Sequence, residues 1–583
     1  MNMSETLARR IAMATGREPA DLRVDNARVV DVFSHTVLEN VSLLIGDGVF
    51  LGFDGGEARQ TVNAGSRYLL PGLVDAHVHI ESSMLTPPQF ARLVLPRGTT
   101  TVIADPHEIA NVLGVAGIRY MLDSAASLPL DVYIMLPSCV PATPFEHAGA
   151  VIRAADLTAL MDEPRVAGLG EMMNYPGVIN ADKDVLEKIA TALRARKRVD
   201  GHAPGIAGQA LDAYVCAGIR TDHECGTPEE MRDRLRRGMY VIIREGSAAR
   251  NLSALIRGVT PGNAHRCLFC TDDRHPGDIL AEGHMDNHLR LAVRHGLDPL
   301  LAGRMATLNA AQCYRLSHKG GIAPGLDADF LLVDDLREFS VREVYAKGVK
   351  IAENGALRVP IPADAPPVVT DTVRPAPLTP EALALALPTG RARVIGVQPR
   401  SLVTTALERT VVTTGGFFDA ARNPGLTRIA VIERHKGTGH VGLGLLEGYV
   451  LPGRRLGGAI ATTIAHDSHN IVAAGDAVGD ILAAVEDLRR MGGGITLVRN
   501  GAVLDHLPLP VAGLMSDKTA EEISARMTAL EALVRREFPV SPDVDPFMTL
   551  SFMALAVIPD LKLTDQGLFD VRAFDFVSVS VQP

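Results

Sequence analysis

Eight short apolar runs, separated by longer stretches with helical periodicity, constrain the fold of this chain more than any other feature. The runs are YLLPGLVDAHVH, TTTVIAD, DVYIMLPS, RVAGLGE, RVDGHA, IRTDHE, MYVIIREGS and CLFCTDD. Between them lie helical segments such as DKDVLEKIATALRARK and PEEMRDRLRRG. Strands that alternate with helices form parallel βαβ units. Eight such units predict an α/β fold, a (β/α)₈ TIM-like barrel.

Strand-like segments also flank the predicted barrel on both sides. We expect these flanks to pair in a small β-domain that the barrel interrupts. A Pro-rich segment after them predicts a linker, and the mixture of strands and helices beyond it predicts a C-terminal α+β domain. The predicted parts are 1–66 and 319–358 for the small β-domain, 67–318 for the barrel, 359–384 for the linker and 385–583 for the C-terminal domain.

Composition limits the partners of the chain. Its 583 residues are 47% hydrophobic and carry a net charge of -10, which argues against nucleic acid and against anionic membrane surfaces. Six scattered cysteines indicate a reducing compartment. No segment resembles a signal peptide or a membrane span. We therefore expect a cytoplasmic protein that acts on a small molecule, as a homo-oligomer with a dimer favoured.

Histidines and carboxylates stand at the C-terminal ends of the eight runs, where a (β/α)₈ barrel carries its chemistry. They are His77, His79, Asp105, His107, Glu171, His202, His223, Glu245 and Asp272. Residues i and i+2 of a strand point to the same side, so His77 and His79 can bind one metal ion together. Imidazole and carboxylate are ligands of Zn, Mn, Fe and Co. The joint pattern predicts a metal site.

This set of residues resembles that of the amidohydrolase superfamily, and longer motifs resemble one of its families, the bacterial adenine deaminases. The similar segments are GLVDAHVHIESSM, GTTTVIADPHEIANV, GLGEMMN, GHAPG, TDHE, REGSAARNL, TDDRHPGD and AHDSHNIVAAG. They are spread over nearly the whole chain. The resemblance implies a metal-dependent hydrolase that converts adenine to hypoxanthine and ammonia. The alternative is another amidohydrolase, which acts on a different amino-heterocycle or on a cyclic amide.

The resemblance also implies two divalent metal ions, Mn or Fe, with Zn as a further option. The implied ligands are His77, His79 and Asp272 for one ion and His202 and His223 for the other. Glu171 would bridge the two ions, at a position where many relatives have a carboxylated lysine. This glutamate favours an adenine deaminase over a hydantoinase or a dihydroorotase. The implied nucleophile is a hydroxide that bridges both ions and attacks C6 of adenine.

Further residues are candidates for proton transfer and substrate binding. Asp272 can accept the proton of the hydroxide and pass it to the leaving amino group. Glu245 is the first candidate to protonate N1, and Glu81 and His107 are the others; each is alternatively a partner that orients a ligand histidine. The candidate substrate contacts are Glu81, Ser82, Glu245 and Asp273. Asp273 would point to the face opposite Asp272 if the strand continued that far.

Three other motifs have competing interpretations. The two cysteines of CLFC would face opposite sides of a strand, which favours core packing over metal or redox use. HIE imitates the H-x-E of cytidine-type zinc deaminases, but the P-C-x-x-C partner motif is missing. AHDSHN contains His466, Asp467 and His469. It is a further metal site, a loop that reaches the mouth of the active site, or a polar loop that caps a helix beginning near Val472.

Overall fold

The computed structural model describes residues 2–363 and 369–582. Eight parallel strands lie at the positions of the eight apolar runs, in two sheets. The order in the first sheet is Arg198–Gly201, Val166–Met172, Asp131–Leu136, Thr99–Ala104 and Leu73–Val78, and the order in the second is Thr221–Asp222, Tyr240–Arg244 and Cys267–Cys270. Strands such as Leu73–Val78 are buried along their whole length, as parallel strands covered on both faces should be.

The two parallel sheets contact each other at both outer edges. At one edge, Asp272 N donates to His77 O at 3.0 Å, and Asp272 forms a parallel bridge with Val78. At the other, Arg220 N donates to Val199 O at 3.2 Å. The prediction of eight parallel strands that alternate with helices is therefore confirmed, and the eight strands curl in a TIM-barrel-like arrangement.

Helices cover the outside of these strands. The segment Lys183–Arg194 begins where the Asp182 carboxylate accepts hydrogen bonds from two backbone amides, as an N-terminal capping residue does. The α-helices of this region are Pro87–Val94, His107–Leu113, Val115–Ala125, Ala154–Thr158, Tyr175–Ile179, Lys183–Arg194, Gly208–Cys216, Pro228–Arg236, Leu252–Leu255, Pro276–Glu282, Met285–Arg294, Pro299–Met305 and Leu308–Cys313. Short 3-10 helices are Ile80–Ser83, Leu95–Arg97, Ile256–Gly258 and Ala264–Arg266.

A nine-stranded sheet takes its strands from both flanks of the barrel segment. Its order is Ala356–Leu357, Val349–Glu353, Val341–Ala346, Phe330–Val333, Tyr68–Pro71, Ala20–Asp31, Thr36–Gly46 and Val49–Gly52, with Ala58–Asn63 also paired to Ala20–Asp31. The two flanks meet where Leu70 pairs with Leu331 in antiparallel register. The helix Met3–Ala14 precedes this sheet.

A buried lysine ties this sheet to the barrel. Lys319 Nζ lies 2.7 Å from an Asp131 carboxylate oxygen, 3.1 Å from one of Asp327 and 2.6 Å from one of Asp329. Asp131 begins a barrel strand, and Asp329 directly precedes a strand of the nine-stranded sheet. Three carboxylates thus share one ammonium group across the junction.

The C-terminal region has a mixed eight-stranded sheet. Its order is Thr404–Thr410, Arg391–Val397, Val441–Glu447, Leu426–Ile432, Ile471–Gly475, Ala459–Thr462, Gly494–Arg499 and Ala502–Pro508. Smaller strands are Thr413–Thr414, Phe417–Phe418, Leu561–Thr564, Gly567–Asp570 and Asp575–Phe576; the helices are Pro380–Leu383 and Ala420–Arg422 (both 3-10), Val478–Met491, Ala520–Glu537 and Pro546–Ser551. The prediction of a helix near Val472 is wrong, because that residue lies in the strand Ile471–Gly475.

Two further sequence predictions concern the linker and the membrane. Residues 364–368 of the predicted linker lie outside the described residues, and most of its described remainder has no regular secondary structure. Within 2–363 and 369–582, no helix combines the length and the apolar character needed to cross a membrane.

Candidate metal centre and active site

The Glu171 carboxylate lies between two pairs of histidines. Oε1 is 3.9 Å from His77 Nε2 and 3.3 Å from His79 Nε2. Oε2 is 2.7 Å from His202 Nδ1 and 3.2 Å from His223 Nε2. Glu171 is only 3% exposed. The side chains form two groups of potential metal ligands that share this one carboxylate.

Asp272 completes the group around the first pair of histidines. Its Oδ1 lies 3.3 Å from His77 Nε2 and 3.1 Å from His79 Nε2, and its Oδ2 accepts a hydrogen bond from Arg244 Nη1 at 2.8 Å. Burial disfavours the charged carboxylate, but Arg244 and the two histidines offset it and hold the pKa of Asp272 well below its usual value. The residue is therefore an anion, the form that binds a cation.

Asp105 orients two of these side chains. Its backbone carbonyl accepts a hydrogen bond from His79 Nδ1 at 2.9 Å, which leaves the lone pair of His79 on Nε2, the atom that faces Glu171. Its Oδ2 accepts from the backbone N–H of Glu171 at 2.8 Å. Histidines that bind metals commonly have their other nitrogen fixed in this way. Asp105 stood at a predicted strand end, but no motif or spacing around it indicated this orienting role.

Two charged residues beside the cluster, Arg244 and Glu224, were not among the predicted site residues, although REGSAARNL begins with Arg244 and TDHE ends with Glu224. Arg244 Nη1 donates to Glu224 Oε1 at 2.5 Å as well as to Asp272. Glu224 Oε1 lies 3.4 Å from His223 Nε2 and 3.6 Å from His202 Nδ1. The guanidinium thus links carboxylates beside both pairs of histidines. The sequence did contain one indication of their role, because Glu224 directly follows His223 and Arg244 directly precedes Glu245, both of which were predicted site residues.

His107 lies at the rim of the cluster. Its ring meets the His79 ring edge-on, with centroids 4.5 Å apart, and its Nδ1 is 3.5 Å from Glu171 Oε1. That buried nitrogen makes no hydrogen bond among the described residues. The structure therefore brings His107 to the cluster.

The Glu245 side chain points elsewhere. One of its carboxylate oxygens accepts a hydrogen bond from Leu252 N at 3.3 Å, and the other lies 3.9 Å from Arg250 Nη1. Its described hydrogen bonds and ion pairs include none to the histidine cluster. A position at a strand end fixes the backbone but not the direction of a long side chain, and Glu245 extends toward the next helix. Its predicted contact with substrate has no support from this geometry.

Glu81, Ser82 and Asp273 line a cavity next to the cluster. Glu81 Oε1 accepts from Ile109 N at 3.2 Å, and its Oε2 is buried without a hydrogen bond among the described residues; burial raises the pKa of Glu81 to about 7. Ser82 Oγ donates to Asp273 Oδ1 at 2.5 Å. An opposite orientation of Asp273 was expected only if the strand continued to this residue, and that condition is not met, because the strand ends at Cys270.

The AHDSHN segment connects two strands of the C-terminal sheet and reaches the barrel. His466 Nδ1 forms a 2.5 Å hydrogen bond with Glu108 Oε1, and His469 Nε2 forms one with Glu108 Oε2. Asp467 Oδ1 lies 3.8 Å from His107 Nε2. Of the three interpretations of this segment, the loop that reaches the site is the one that the contacts favour.

Comparison with known proteins identifies the family. Residues 68–351 match the model of the amidohydrolase family, and residues 401–575 match that of the adenine deaminase C-terminal domain. An adenine deaminase of Nitratidesulfovibrio vulgaris strain DP4 is 60% identical over 572 residues, which is 98% of each chain. The chain belongs to the adenine deaminase family. The resemblance seen in the motifs is thereby confirmed.

More distant relatives cover the chain to the same extent. "Adenine deaminase 2" of Carboxydothermus hydrogenoformans is 48% identical over 98% of this chain and 99% of its own. An adenine deaminase of Halalkalibacterium halodurans is 45% identical over 99% of both chains. Membership of the adenine deaminase family therefore applies to the whole chain, including the barrel-like part and the C-terminal part.

Proposed function

We propose that this protein hydrolyses adenine to hypoxanthine and ammonia. The observation that carries the proposal is the Glu171 carboxylate between two pairs of histidines, in a chain whose 60% identical relative is an adenine deaminase. The position that many amidohydrolases fill with a carboxylated lysine thus has a glutamate here. This feature supports adenine over the cyclic amides of hydantoinases and dihydroorotases.

The donor atoms fit a pair of divalent metal ions. His77 Nε2 is buried and makes no hydrogen bond among the described residues, which is costly unless another partner satisfies it. In the proposal, His77, His79 and Asp272 hold one ion. His202 and His223 would hold the other, and Glu171 would contribute a ligand to each. Imidazole and carboxylate donors suit Mn and Fe, and also Zn; Mn or Fe is proposed from the family resemblance.

Two bound divalent ions would supply a hydroxide nucleophile at neutral pH, because a bound metal ion lowers the pKa of water to about 7. Asp272 would accept the proton of the nucleophile and pass it to the departing amino group. Arg244 donates a hydrogen bond to Oδ2 of the same carboxylate and so orients Oδ1 toward His77 and His79. The C6–N bond breaks, a C6=O bond remains, and ammonia leaves.

Glu81 is the better candidate to give the proton to N1 of adenine. It lines the cavity beside the cluster, and its Oε2 has no hydrogen bond among the described residues. Glu245, the first candidate from the sequence, instead accepts a hydrogen bond from the backbone N–H of Leu252 at a helix start. His107 lies against Glu171, which suits a residue that orients this ligand. Ser82 and Asp273, which hydrogen bond to each other, complete the polar side of the cavity.

The proposal extends to the architecture. The two parallel sheets form one closed (β/α)₈ barrel, supported by backbone hydrogen bonds at both edges. The proposed domain boundaries are those predicted at 318/319, 358/359 and 384/385, whereas the first one moves from 66/67 to the end of Tyr68–Pro71, because that strand belongs to the nine-stranded sheet. A reducing, cytoplasmic location is supported by the sparse and scattered cysteines. The dimer stays a prediction.

The test is ammonia release from adenine by the purified protein, stripped with a chelator and reloaded with Mn or Fe. We expect release that depends on the metal, with hypoxanthine as the other product. A protein that binds two ions per chain but releases no ammonia from adenine would overturn the substrate assignment. Cyclic amides and other amino-heterocycles, assayed in the same plate, would then identify the alternative amidohydrolase activity.

A further inference from the structure

The C-terminal domain forms one wall of the cavity beside the metal cluster. The apolar residues of this wall are Ile464, Ile495, Met527, Phe547, Met548 and Phe552. The facing polar residues from the barrel are Glu81, Ser82, Ser247, Asp273 and His275. An apolar wall with a few convergent polar groups is typical of a site for a small, largely flat ligand.

His466 is the ionisable side chain of that wall. Its ring stacks on Phe552, with centroids 4.5 Å apart and planes at 25°. Its Nδ1 is hydrogen-bonded to Glu108 Oε1 at 2.5 Å, while no hydrogen bond among the described residues involves its Nε2. The imidazole is thus held by a ring on one face and a carboxylate on one edge. One nitrogen remains for a ligand in the cavity.

The hydrogen bonds around Glu108 fix where the proton lies. His469 Nδ1 accepts from the backbone N–H of Ala465 at 3.1 Å, so its Nε2 carries the hydrogen that is donated to Glu108. His469 is therefore neutral, and burial lowers its pKa to about 4. Burial also opposes a charge on His466, but Glu108 more than offsets this and raises the pKa of His466 to about 9. His466 is the cation of the trio, and both of its nitrogens are donors.

The loop that carries His466 is held in place before any ligand binds. The backbone N–H of His466 donates to Ser551 O at 3.1 Å. Asn470 Nδ2 donates to His147 O, in the barrel, at 2.7 Å. His435 Nε2 forms a 2.7 Å hydrogen bond with Ser468 O. These contacts fix the backbone on both sides of the imidazole, which reduces the entropy lost when a ligand accepts its hydrogen bond.

We infer that His466 donates a hydrogen bond from Nε2 to a ring nitrogen of the purine, and that Glu108 is a positioning residue that holds the imidazole. The inference rests on the proposed deamination of adenine. Because the reacting C6–N1 edge has to face Glu81 and the metal cluster, the acceptor is one of the other ring nitrogens, N3, N7 or N9. The C-terminal domain thus contributes directly to substrate recognition.

The test compares kcat/KM for adenine with that for 3-deaza-, 7-deaza- and 9-deazaadenine, each of which replaces one ring nitrogen by C–H. A hydrogen bond from a charged donor is worth roughly a 10- to 100-fold preference. We expect the wild-type enzyme to prefer adenine over one analogue by about this factor. In His466→Asn, whose amide nitrogen occupies the place of Nδ1 and keeps the contact with Glu108, that preference falls to roughly threefold or less.

A second variant and a control keep the test decisive. Glu108→Gln leaves the imidazole in place but weakens its positioning, so the same preference falls by a smaller factor. His440→Asn is the matched control, because His440 is exposed in the same domain; its preferences stay at the wild-type values. Metal content and unfolding temperature are measured for every variant, and Glu108→Gln decides the question if His466→Asn does not fold.

Two outcomes separate this inference from the proposed function. Folded, metal-replete variants that deaminate adenine with unchanged analogue preferences overturn the role of His466 and leave the proposed function intact. A wild-type enzyme that does not deaminate adenine overturns the proposed function itself.

Discussion

Replacement of Glu171 by glutamine removes the one carboxylate that both proposed metal sites share. Gln keeps the shape of the side chain and one carbonyl oxygen, but it loses the negative charge and one of the two ligand oxygens. Oε1 faces His77 and His79, and Oε2 faces His202 and His223. The first ion retains three protein ligands, with Asp272, whereas the second retains only two histidines. We therefore expect the second ion to be lost first.

The expected loss of metal affinity at the second site follows from this number of remaining ligands. A change in an outer partner of a metal ligand costs about 10- to 100-fold in affinity, so loss of the ligand itself should cost at least about 100-fold, or roughly 2.8 kcal/mol. After equilibration with Mn and desalting, elemental analysis should give about one ion per chain instead of two, and titration calorimetry should show one weakened site.

The matched control for this prediction lies near the opposite end of the same strand. Glu163 precedes the strand Val166–Met172 and is paired with Arg119 at the surface, so Glu163→Gln should bind both ions as the wild type does. A Glu171→Gln protein with two ions per chain and unchanged affinity would refute the bridging role of this residue.

Two further substitutions test the cluster and the junction. His77→Asn should remove most of the bound metal and most of the adenine deamination, because it deletes a buried ligand atom that no described residue satisfies; full activity with a full metal complement would contradict the site. Lys319→Met should destabilise the protein by about 3–5 kcal/mol, the usual cost of leaving buried charges unpaired, since Asp131, Asp327 and Asp329 lose their shared ammonium. A melting temperature unchanged in thermal scanning would show that another group neutralises these carboxylates.

The sequence was sufficient to predict a site residue where the geometry of one strand determines the direction of its side chain. His77 and His79 are two residues apart in a strand, so they had to face the same side, and the structure places both against Glu171. Glu245 shows where the rule stops. Its backbone is at a strand end as predicted, yet a nearby helix start, at Leu252, offers its carboxylate a hydrogen bond. The spacing of residues along the strand does not show whether the Glu245 carboxylate binds this helix start or points into the barrel.

Contacts between segments that are far apart in the chain could not be predicted from local spacing. His466 and Glu108 are 358 residues apart in the chain, and no periodicity connects them. The AHDSHN segment stood out by composition alone, so three interpretations remained open until its neighbours were known. The orientation of Asp273 could not be predicted for a different reason: the expectation depended on a strand that continued, while Asp272 adopts a left-handed conformation, with φ of 58°, beyond the end of the strand.

The nine-stranded sheet has a consequence for how the chain is made. Leu70 pairs with Leu331, about 260 residues later, and translation at about 5–20 residues per second separates the two by roughly 13–50 s. Throughout that interval the strand Tyr68–Pro71 presents an unpaired edge, the kind of surface that templates aggregation. A chain that ends anywhere in the barrel segment contains only the N-terminal strands of this sheet, so the sheet is complete only after the strands from residue 330 onward have been made.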